Sequence, residues 1–148
     1  MRLLIQRVSK AKVSVEGQTV GEIGNGLLIF LGIGEGDTET DCKEMASKAA
    51  RLRIFEDENA KMNLDLSQVG GCALIISQFT LYADTHKGNR PNFLGAAKPE
   101  MAKMLYERFI SEMKAILGDN RVAEGVFGSM MDIELVNKGP VTIWVDCC

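Results

Sequence analysis

A β-hairpin is encoded by Ala11-Lys12-Val13-Ser14-Val15-Glu16-Gly17-Gln18-Thr19-Val20-Gly21-Glu22-Ile23. Ala11, Val13 and Val15 alternate strictly with polar residues, which is typical of a half-buried strand. The turn is Glu16-Gly17-Gln18, because glycine tolerates the positive φ that a tight turn requires. The residues from Thr19 to Ile23 then form the returning strand, so the chain begins as a sheet.

Apolar alternation and turn residues predict further strands on both sides of this hairpin. Leu3, Ile5 and Val8 mark a strand before it, and Gly24-Asn25-Gly26 is a second turn. Ala73-Leu74-Ile75-Ile76 is uniformly apolar and predicts a fully buried strand, whereas the residues from Phe55 to Asn63 predict an exposed loop. The remaining predicted strands are 27–33, 64–66, 121–126, 130–136 and 141–145.

Two helices interrupt these strands. Asp37 or Thr38 caps the first, and Pro99 lies in the first turn of the second, which Gly118 ends. The predicted buried faces, read from helical spacing, are Cys42, Met45, Ala46, Ala49 and Leu52 in the first helix, and Ala102, Leu105, Phe109, Met113 and Ile116 in the second. We therefore expect one α+β domain over residues 1–148. Its mixed or antiparallel β-sheets form a two-sheet or half-open barrel core, with the two main helices packed on one side.

Composition narrows the class of function. The chain has 148 residues, of which 46% are hydrophobic, and a net charge of −3. This charge argues against a broad basic face, so a nucleic-acid partner would be held through a small footprint. No apolar run approaches the roughly 20 residues of a membrane helix, and the N-terminal residues read as a strand instead of a signal peptide. We expect a soluble, cytoplasmic protein with no membrane partner.

The cysteines and the histidine do not suggest a metal site. Cys42, Cys72, Cys147 and Cys148 lack any CxxC spacing, and His86 lies in a polar loop with no partner nearby in sequence. Cys42 and Cys72 fall within apolar periodicities, where a free cysteine acts as a small core residue. We expect no metal and no cofactor.

The first candidate motif is Ser77-Gln78-Phe79-Thr80, which follows the buried strand. It offers hydroxyls and an amide, and the N–H groups of Phe79 and Thr80 could stabilise the charge that a carbonyl oxygen gains during acyl transfer. The alternative is that Ser77 and Thr80 only terminate the strand by bonding back to the main chain.

The second candidate motif is Asn137-Lys138-Gly139-Pro140-Val141-Thr142, which lies between the last two predicted strands. Gly139-Pro140 is either an ordinary hairpin turn or a cis bond that presents its carbonyls outward as rigid acceptors. The sequence alone leaves both open.

Together with Lys87-Gly88-Asn89-Arg90-Pro91 and Gly125-Val126-Phe127-Gly128, these motifs resemble the D-aminoacyl-tRNA deacylase family, formerly called D-tyrosyl-tRNA deacylases. The resemblance implies a homodimer that hydrolyses the ester between a D-amino acid, or mischarged glycine, and the 3′-terminal adenosine of tRNA. It also implies an active site at the dimer interface, where the Gly-Pro motif of one subunit, in cis, enters the pocket built by the Ser-Gln-Phe-Thr motif of the other.

The resemblance also assigns roles to residues. Arg7 would hold the Gly-Pro carbonyl through a charged hydrogen bond. One departure from the family pattern is that Glu124 and Ser129-Met130 flank the Phe127 turn, where relatives more often carry threonine and alanine. The implied sets are Ser77, Gln78, Phe79 and Thr80 for catalysis, Gly139, Pro140, Asn137, Val141, Thr142 and Arg7 for substrate binding and chiral selection, and Lys87, Arg90, Phe127 and Lys138 for tRNA.

Two mechanisms and two other functions remain open at this stage. Thr80 is the nucleophile, with His86 as a loose candidate for its base, or the 2′-hydroxyl of the terminal adenosine helps to activate water, which is the mechanism we favour. The chain could instead be a non-catalytic dimeric module that binds nucleotides or acyl compounds, or an acylase acting on free D-amino acid derivatives.

Overall fold

The computed structural model describes residues 1–147 and is organised around one long strand. This strand, β1 (Arg2–Val15), pairs antiparallel with β2 (Gln18–Ile23) through its second half and with β3 (Gly26–Gly32) through its first half. The predicted hairpin turn is confirmed, with Glu16 and Gly17 at φ values of 51° and 78°. The two strands predicted before this turn are one continuous strand.

The sheet then continues with parallel strands and curls into a nearly closed barrel. β3 pairs in parallel with β6 (Cys72–Ser77), and β6 pairs in parallel with β7 (Val122–Glu124). β2 lies against β7, because a Cβ atom added at Gly21 would stand 2.8 Å from the Glu124 carbonyl oxygen. The predicted α+β class with a half-open barrel is confirmed.

The last strand, β8 (Asp132–Asp146), runs antiparallel along the remaining edge of β1. The sequence predicted two strands here, and the hairpin-turn alternative for Gly139-Pro140 is wrong. Both halves of β8 pair with the same neighbour, from Arg2↔Asp146 to Ser14↔Asp132, so the chain does not reverse between them. The register instead shifts on both sides of Val8, and the Gly139–Pro140 peptide bond within β8 is cis.

Two helices cover one face of the sheet. α1 (Glu39–Arg51) begins at Thr38, whose hydroxyl accepts a hydrogen bond from the Asp41 N–H, so the cap is Thr38 and not Asp37. α2 (Pro99–Leu117) ends at Gly118, as predicted. Its last buried residue is Leu117, whereas Ile116 is 38% exposed, which corrects the predicted face at its final turn.

β3 and β6 are buried on both faces and separate two apolar layers. Leu27, Ile29 and Ile75 face the helices, whereas Leu28 and Ile76 point into the barrel, as strand alternation requires. Residues in both layers are fully buried. The central strands therefore end at fixed positions, and the segment that follows β6 starts from a rigid point.

The segment predicted as an exposed loop forms a small hairpin. β4 (Phe55–Glu56) pairs with β5 (Met62–Leu64), and Phe55 is buried because its ring joins the core beneath α1. The sequence predicted a strand over residues 64–66, but β5 ends at Leu64. Leu66 is buried and lies beyond the end of this strand.

The structure also bears on the cysteines. Cys42 is fully buried and its thiol donates to the Leu105 carbonyl, and burial raises the pKa of this thiol to about 11. The predicted core role is confirmed for Cys42, whereas Cys72 is only half-buried. Cys148 lies outside the described residues.

Over residues 1–147, neither helix combines the length and the apolar character that crossing a bilayer demands.

Candidate active site

The first motif begins where β6 leaves the sheet. Ser77 is the last residue of β6 and pairs with Leu31 of β3, and the Gln78 N–H donates to the Leu31 carbonyl at 2.8 Å. The chain then enters a 3-10 turn, Phe79–Tyr82, which the sequence did not predict. This turn presents Phe79 and Thr80 to solvent at the carboxyl end of a buried strand.

Thr80 has an amide partner and no base. Its hydroxyl oxygen accepts a hydrogen bond from Gln78 Nε2. Among the described residues, neither the hydroxyl of Ser77 nor that of Thr80 bonds back to the main chain, so the strand-terminating alternative finds no support. No carboxylate or imidazole of residues 1–147 bonds to Thr80 either, so nothing in this copy could deprotonate it as a nucleophile.

The main chain around Thr80 offers hydrogen-bond donors. The first N–H groups of a helical turn have no partner within it. Within the described part of the chain, the N–H groups of Phe79 and Thr80 donate to no other atom, while the Leu81 N–H closes the turn on the Gln78 carbonyl at 3.2 Å. Two adjacent unpaired N–H groups beside a hydroxyl are the arrangement that an oxyanion site requires.

The second motif lies in the irregular part of β8. Asn137 spans it, because its side-chain amide donates to the carbonyls of Arg7 and Val141 at 3.2 and 3.1 Å. Val141 is buried, whereas Lys138, Gly139 and Pro140 are exposed. The main chain of Gly139 and Pro140 is therefore fixed from both sides and open to a partner.

Thr142 lies just beyond this fixed segment. It pairs with Gln6 of β1, and its hydroxyl accepts a hydrogen bond from Gln6 Nε2 at 3.2 Å.

Arg7 anchors the same segment from within the protein. It is only 6% exposed, and its guanidinium donates to the Lys138 carbonyl at 3.1 Å and to the Ile54 carbonyl at 2.6 Å, with Glu56 at 3.8 Å. The resemblance gave Arg7 the Gly-Pro carbonyl as its acceptor, but the bond goes to the carbonyl of the residue before Gly139. The buried cation still fixes the motif, because both of its hydrogen bonds to carbonyls are charge-assisted.

In a single copy the two motifs are anchored to different residues of β1. Arg2, at the start of β1, contacts Leu81 of the first motif's turn, and Arg7 contacts Lys138 of the second. Arg2 and Arg7 themselves are five residues of extended strand apart, which is about 17 Å along β1. The two motifs are therefore anchored at different positions of β1, and no hydrogen bond within residues 1–147 joins them.

Two of the predicted tRNA contacts lie on a loop that begins at the first motif. Lys87 and Arg90 are exposed, and neither forms an ion pair with a described residue. The prediction that His86 has no partner is wrong, because its Nδ1 lies 2.7 Å from Asp84 Oδ1. Hydrogen bonds from the His86 N–H, the His86 ring and Asn92 lower the pKa of Asp84 to about 2. The structure places Lys138 with the second motif and not on this loop.

Phe127 is held next to the end of β6. The Gly125 N–H donates to the Ile75 carbonyl, and the buried Tyr106 hydroxyl donates to the carbonyls of Ile75 and Gly125 at 3.0 and 3.3 Å. The rings of Tyr106 and Phe127 lie 5.7 Å apart. Burial raises the pKa of Tyr106, so its hydroxyl remains a neutral donor at physiological pH.

The arrangement agrees with comparisons to known proteins. The sequence model described as D-Tyr-tRNA(Tyr) deacylase matches residues 4–146. The chain belongs to this family. A D-aminoacyl-tRNA deacylase of Fusobacterium nucleatum subsp. nucleatum is 56% identical over 146 residues, covering 99% of this chain and 95% of that protein. The D-aminoacyl-tRNA deacylase of Koribacter versatilis (strain Ellin345) is 54% identical over 146 residues, covering 99% of this chain and 97% of its own.

A solved structure supports the same fold. The c-Myc DNA Unwinding Element Binding Protein superposes with a TM-score of 0.95 at 34% identity, covering 100% of this chain and 99% of the other. The fold of the whole chain is therefore shared with a protein of known structure.

Sequence reasoning missed two residues that contact the candidate motifs. Arg2 contacts the turn that follows Thr80, and Tyr106 links the end of β6 to the Phe127 turn. Tyr106 carried a weak signal, since a tyrosine one residue after the buried Leu105 continues the apolar face of α2 and a buried phenol requires an acceptor. Arg2 carried none, because its partners lie 79 and 144 residues away.

Proposed function

We propose that this protein hydrolyses the ester bond of D-aminoacyl-tRNA, and of mischarged glycyl-tRNA, releasing the amino acid and tRNA in the cytoplasm. The observation that carries the proposal is the pair of unpaired N–H groups at Phe79 and Thr80, beside a hydroxyl that has no base. Membership of the D-Tyr-tRNA(Tyr) deacylase family supports the substrate class.

The chemistry that suits these groups is electrostatic. When water attacks the ester carbonyl, the oxygen gains negative charge, and the N–H groups of Phe79 and Thr80 stabilise it. Ser77 and Gln78 shape the same pocket, and Gln78 orients the Thr80 hydroxyl. Because the chain places no base at Thr80, the 2′-hydroxyl of the terminal adenosine assists the attacking water, and the protein contributes position.

Chiral selection follows from the second motif. A pocket that accepts any D side chain must reject the L isomer near Cα through a fixed clash, and main-chain groups anchored on both sides are suited to this task. Asn137 and Arg7 provide that anchoring for Gly139 and Pro140, and Val141 and Thr142 continue the same strand. Glycine has no side chain to clash and is therefore accepted.

The site is completed by a second copy of the chain. In one copy the two motifs are anchored to β1 through Arg2 and Arg7, which lie about 17 Å apart along the strand, so we do not expect one small substrate centre to touch both. Gly139 and Pro140 are exposed and can enter the Phe79–Thr80 pocket of a partner, whose own motif enters this one. The active site thus lies at a homodimer interface.

The tRNA end is held by a small set of groups. Lys87 and Arg90 contact phosphates of the acceptor end, Lys138 does so from the partner, and Phe127 faces the terminal adenosine. This footprint is compatible with a net charge of −3.

The test is to incubate the protein with matched D- and L-tyrosyl-tRNA, glycyl-tRNA and N-acetyl-D-tyrosine, and to follow loss of the acyl group. We expect hydrolysis of the D and glycyl esters alone. Binding without turnover would indicate a binding module, and cleavage of the N-acetyl compound would indicate an acylase.

The mechanism is tested with tRNA that ends in 2′-deoxyadenosine. We expect slow hydrolysis of this substrate, while Thr80→Ser, and to a lesser extent Thr80→Ala, keep substantial activity on normal tRNA. Rapid turnover of the deoxy substrate, or complete loss in Thr80→Ser, would contradict the assignment.

A further inference from the structure

Arg2 occupies a junction between three elements that carry or flank the site. Its Nη1 donates to the Leu81 carbonyl at 2.9 Å, and its Nε donates to Asp146 Oδ2 at 3.2 Å. The guanidinium carbon lies 4.3 Å from the ring centre of Tyr82 and 5.7 Å from that of Trp144. One side chain thus ties the 3-10 turn of the first motif to the end of β8.

On its other side, the 3-10 turn packs against the backbone of two glycines, Gly32 and Gly34. A Cβ atom added at Gly32 would stand 3.0 Å from Leu81 Cβ and 3.1 Å from the Gln78 carbonyl oxygen. One added at Gly34 would stand 2.5 Å from the Tyr82 hydroxyl. The turn therefore packs closely against β3 and the segment after it, the Phe79 ring packs against Phe93, and Arg2 contacts the turn from the side of β1.

We propose that Arg2 is a positioning residue for the hydrolysis proposed above: it fixes the turn that aims the Thr80 hydroxyl and the N–H groups of Phe79 and Thr80. Leu81 directly follows Thr80. A bond to the Leu81 carbonyl restrains the Leu81–Tyr82 peptide group and, through it, the short turn that contains Phe79 and Thr80. The N–H groups act on an oxyanion only while their directions are fixed in advance. Arg2 does not touch the substrate in this assignment.

Arginine is suited to this junction and lysine is not. The planar guanidinium donates in two directions at once while its face rests on an aromatic ring. A lysine ammonium can approach the Tyr82 ring or Asp146, but it cannot hold the Leu81 carbonyl and Asp146 in the same fixed geometry. The conservative variant therefore separates the role of charge from the role of shape.

The test compares Arg2→Gln and Arg2→Lys with a matched control. Lys12→Gln removes an exposed ion pair, to Glu134 at 3.0 Å, from the same strand without any contact to the turn. For hydrolysis of D-tyrosyl-tRNA, we expect Arg2→Gln to lower kcat by roughly 10- to 100-fold with KM changed less than about 3-fold. Arg2→Lys should fall between this variant and the wild type, and Lys12→Gln should match the wild type.

A second measurement does not depend on activity. The N–H groups of Leu81 and Ala83 are bonded within the turn, to the carbonyls of Gln78 and Thr80. Arg2→Gln should raise their hydrogen-exchange rates by about 10-fold or more, while core amides of β6 remain as protected as in the wild type. If the wild type hydrolyses no aminoacyl-tRNA, the proposed function fails, and this exchange measurement decides alone whether Arg2 holds the turn.

Two results would overturn the inference. One is unchanged exchange at Leu81 and Ala83 in Arg2→Gln, whatever its activity. The other is faster exchange with kcat within 2-fold of the wild type, or a loss confined to KM, since either would show that the turn needs no such restraint for the chemistry.

Discussion

Removal of the Tyr106 hydroxyl should destabilise the fold by an amount that follows from the hydrogen bonds it makes. Tyr106 is 3% exposed and donates to the carbonyls of Ile75 and Gly125. In Tyr106→Phe, Ile75 keeps a second donor in the Gly125 N–H at 3.0 Å, whereas the Gly125 carbonyl loses the bond from this hydroxyl. Losing one bond and leaving a buried acceptor unpaired destabilises the fold by about 2 kcal/mol. For a chain of this length, that lowers Tm by roughly 4–8 °C.

The assay is denaturant unfolding at one fixed protein concentration, followed by the fluorescence of Trp144, which is the single tryptophan of the chain. The matched control is Tyr82→Phe, because the Tyr82 hydroxyl bonds to none of the described residues. We expect the control to change the free energy of unfolding by less than about 0.5 kcal/mol. If both variants unfold at the same denaturant concentration and with the same slope, the Tyr106 hydroxyl does not make the predicted contribution to stability. Because Tyr106 also supports the Phe127 turn, KM for tRNA should rise in Tyr106→Phe alone.

Three further experiments test the second motif, the loop that carries Lys87 and Arg90, and the buried core. Arg7→Lys should lower the D-to-L ratio of kcat/KM by about 10-fold, because an ammonium cannot hold the Lys138 and Ile54 carbonyls together; an unchanged ratio contradicts this. Lys87→Ala and Arg90→Ala should each reduce the slope of log kcat/KM against log salt by about 0.7, with Lys61→Ala as the unaffected control. Cys42 should resist iodoacetamide at pH 8, because its thiolate forms only as the pH approaches its pKa of about 11. Peptide mapping that finds Cys42 alkylated as fast as in unfolded protein would contradict its burial.

The fold could be predicted wherever local patterns and burial agree. The alternation of Ala11, Val13 and Val15 and the Glu16-Gly17 turn defined the first hairpin, and Thr38 and Gly118 bounded helices whose buried faces follow the 3.6-residue period. Ile116 was wrong by one position, because the buried face continues four residues after Met113, at Leu117, and not three residues after it.

The irregular part of β8 could not be predicted from its own residues. Asn137 to Pro140 carry turn-forming residues, which favour a reversal locally. What keeps the chain straight is its pairing with β1 on both sides, together with the bonds of Asn137 to Arg7 and of Arg7 to Lys138. The two hydrogen bonds join residues 130 and 131 positions apart, and the strand pairing is also long-range, so no sequence window contains them.

The site was predicted as a set of motifs but not as an arrangement. Ser77 to Thr80 lie at a strand end as expected, yet the 3-10 turn that frees two N–H groups packs closely against Gly32 and Gly34, which are far from it in sequence. The sequence likewise could not show which residues of β1 anchor the two motifs, because these contacts join residues 79 and 131 positions apart.

The most direct test of a site shared between two copies is subunit mixing between two inactive variants. Thr80→Arg obstructs the first motif at an exposed position, and Gly139→Val alters the second, also exposed. Each variant alone should fail to hydrolyse D-tyrosyl-tRNA. Equal amounts, unfolded together and refolded, give half mixed dimers with one intact site of two, so about a quarter of wild-type activity should return, still confined to the D ester. No recovered activity in mixtures shown to contain mixed dimers, or recovery with equal rates on D and L esters, would contradict a site that two copies build together.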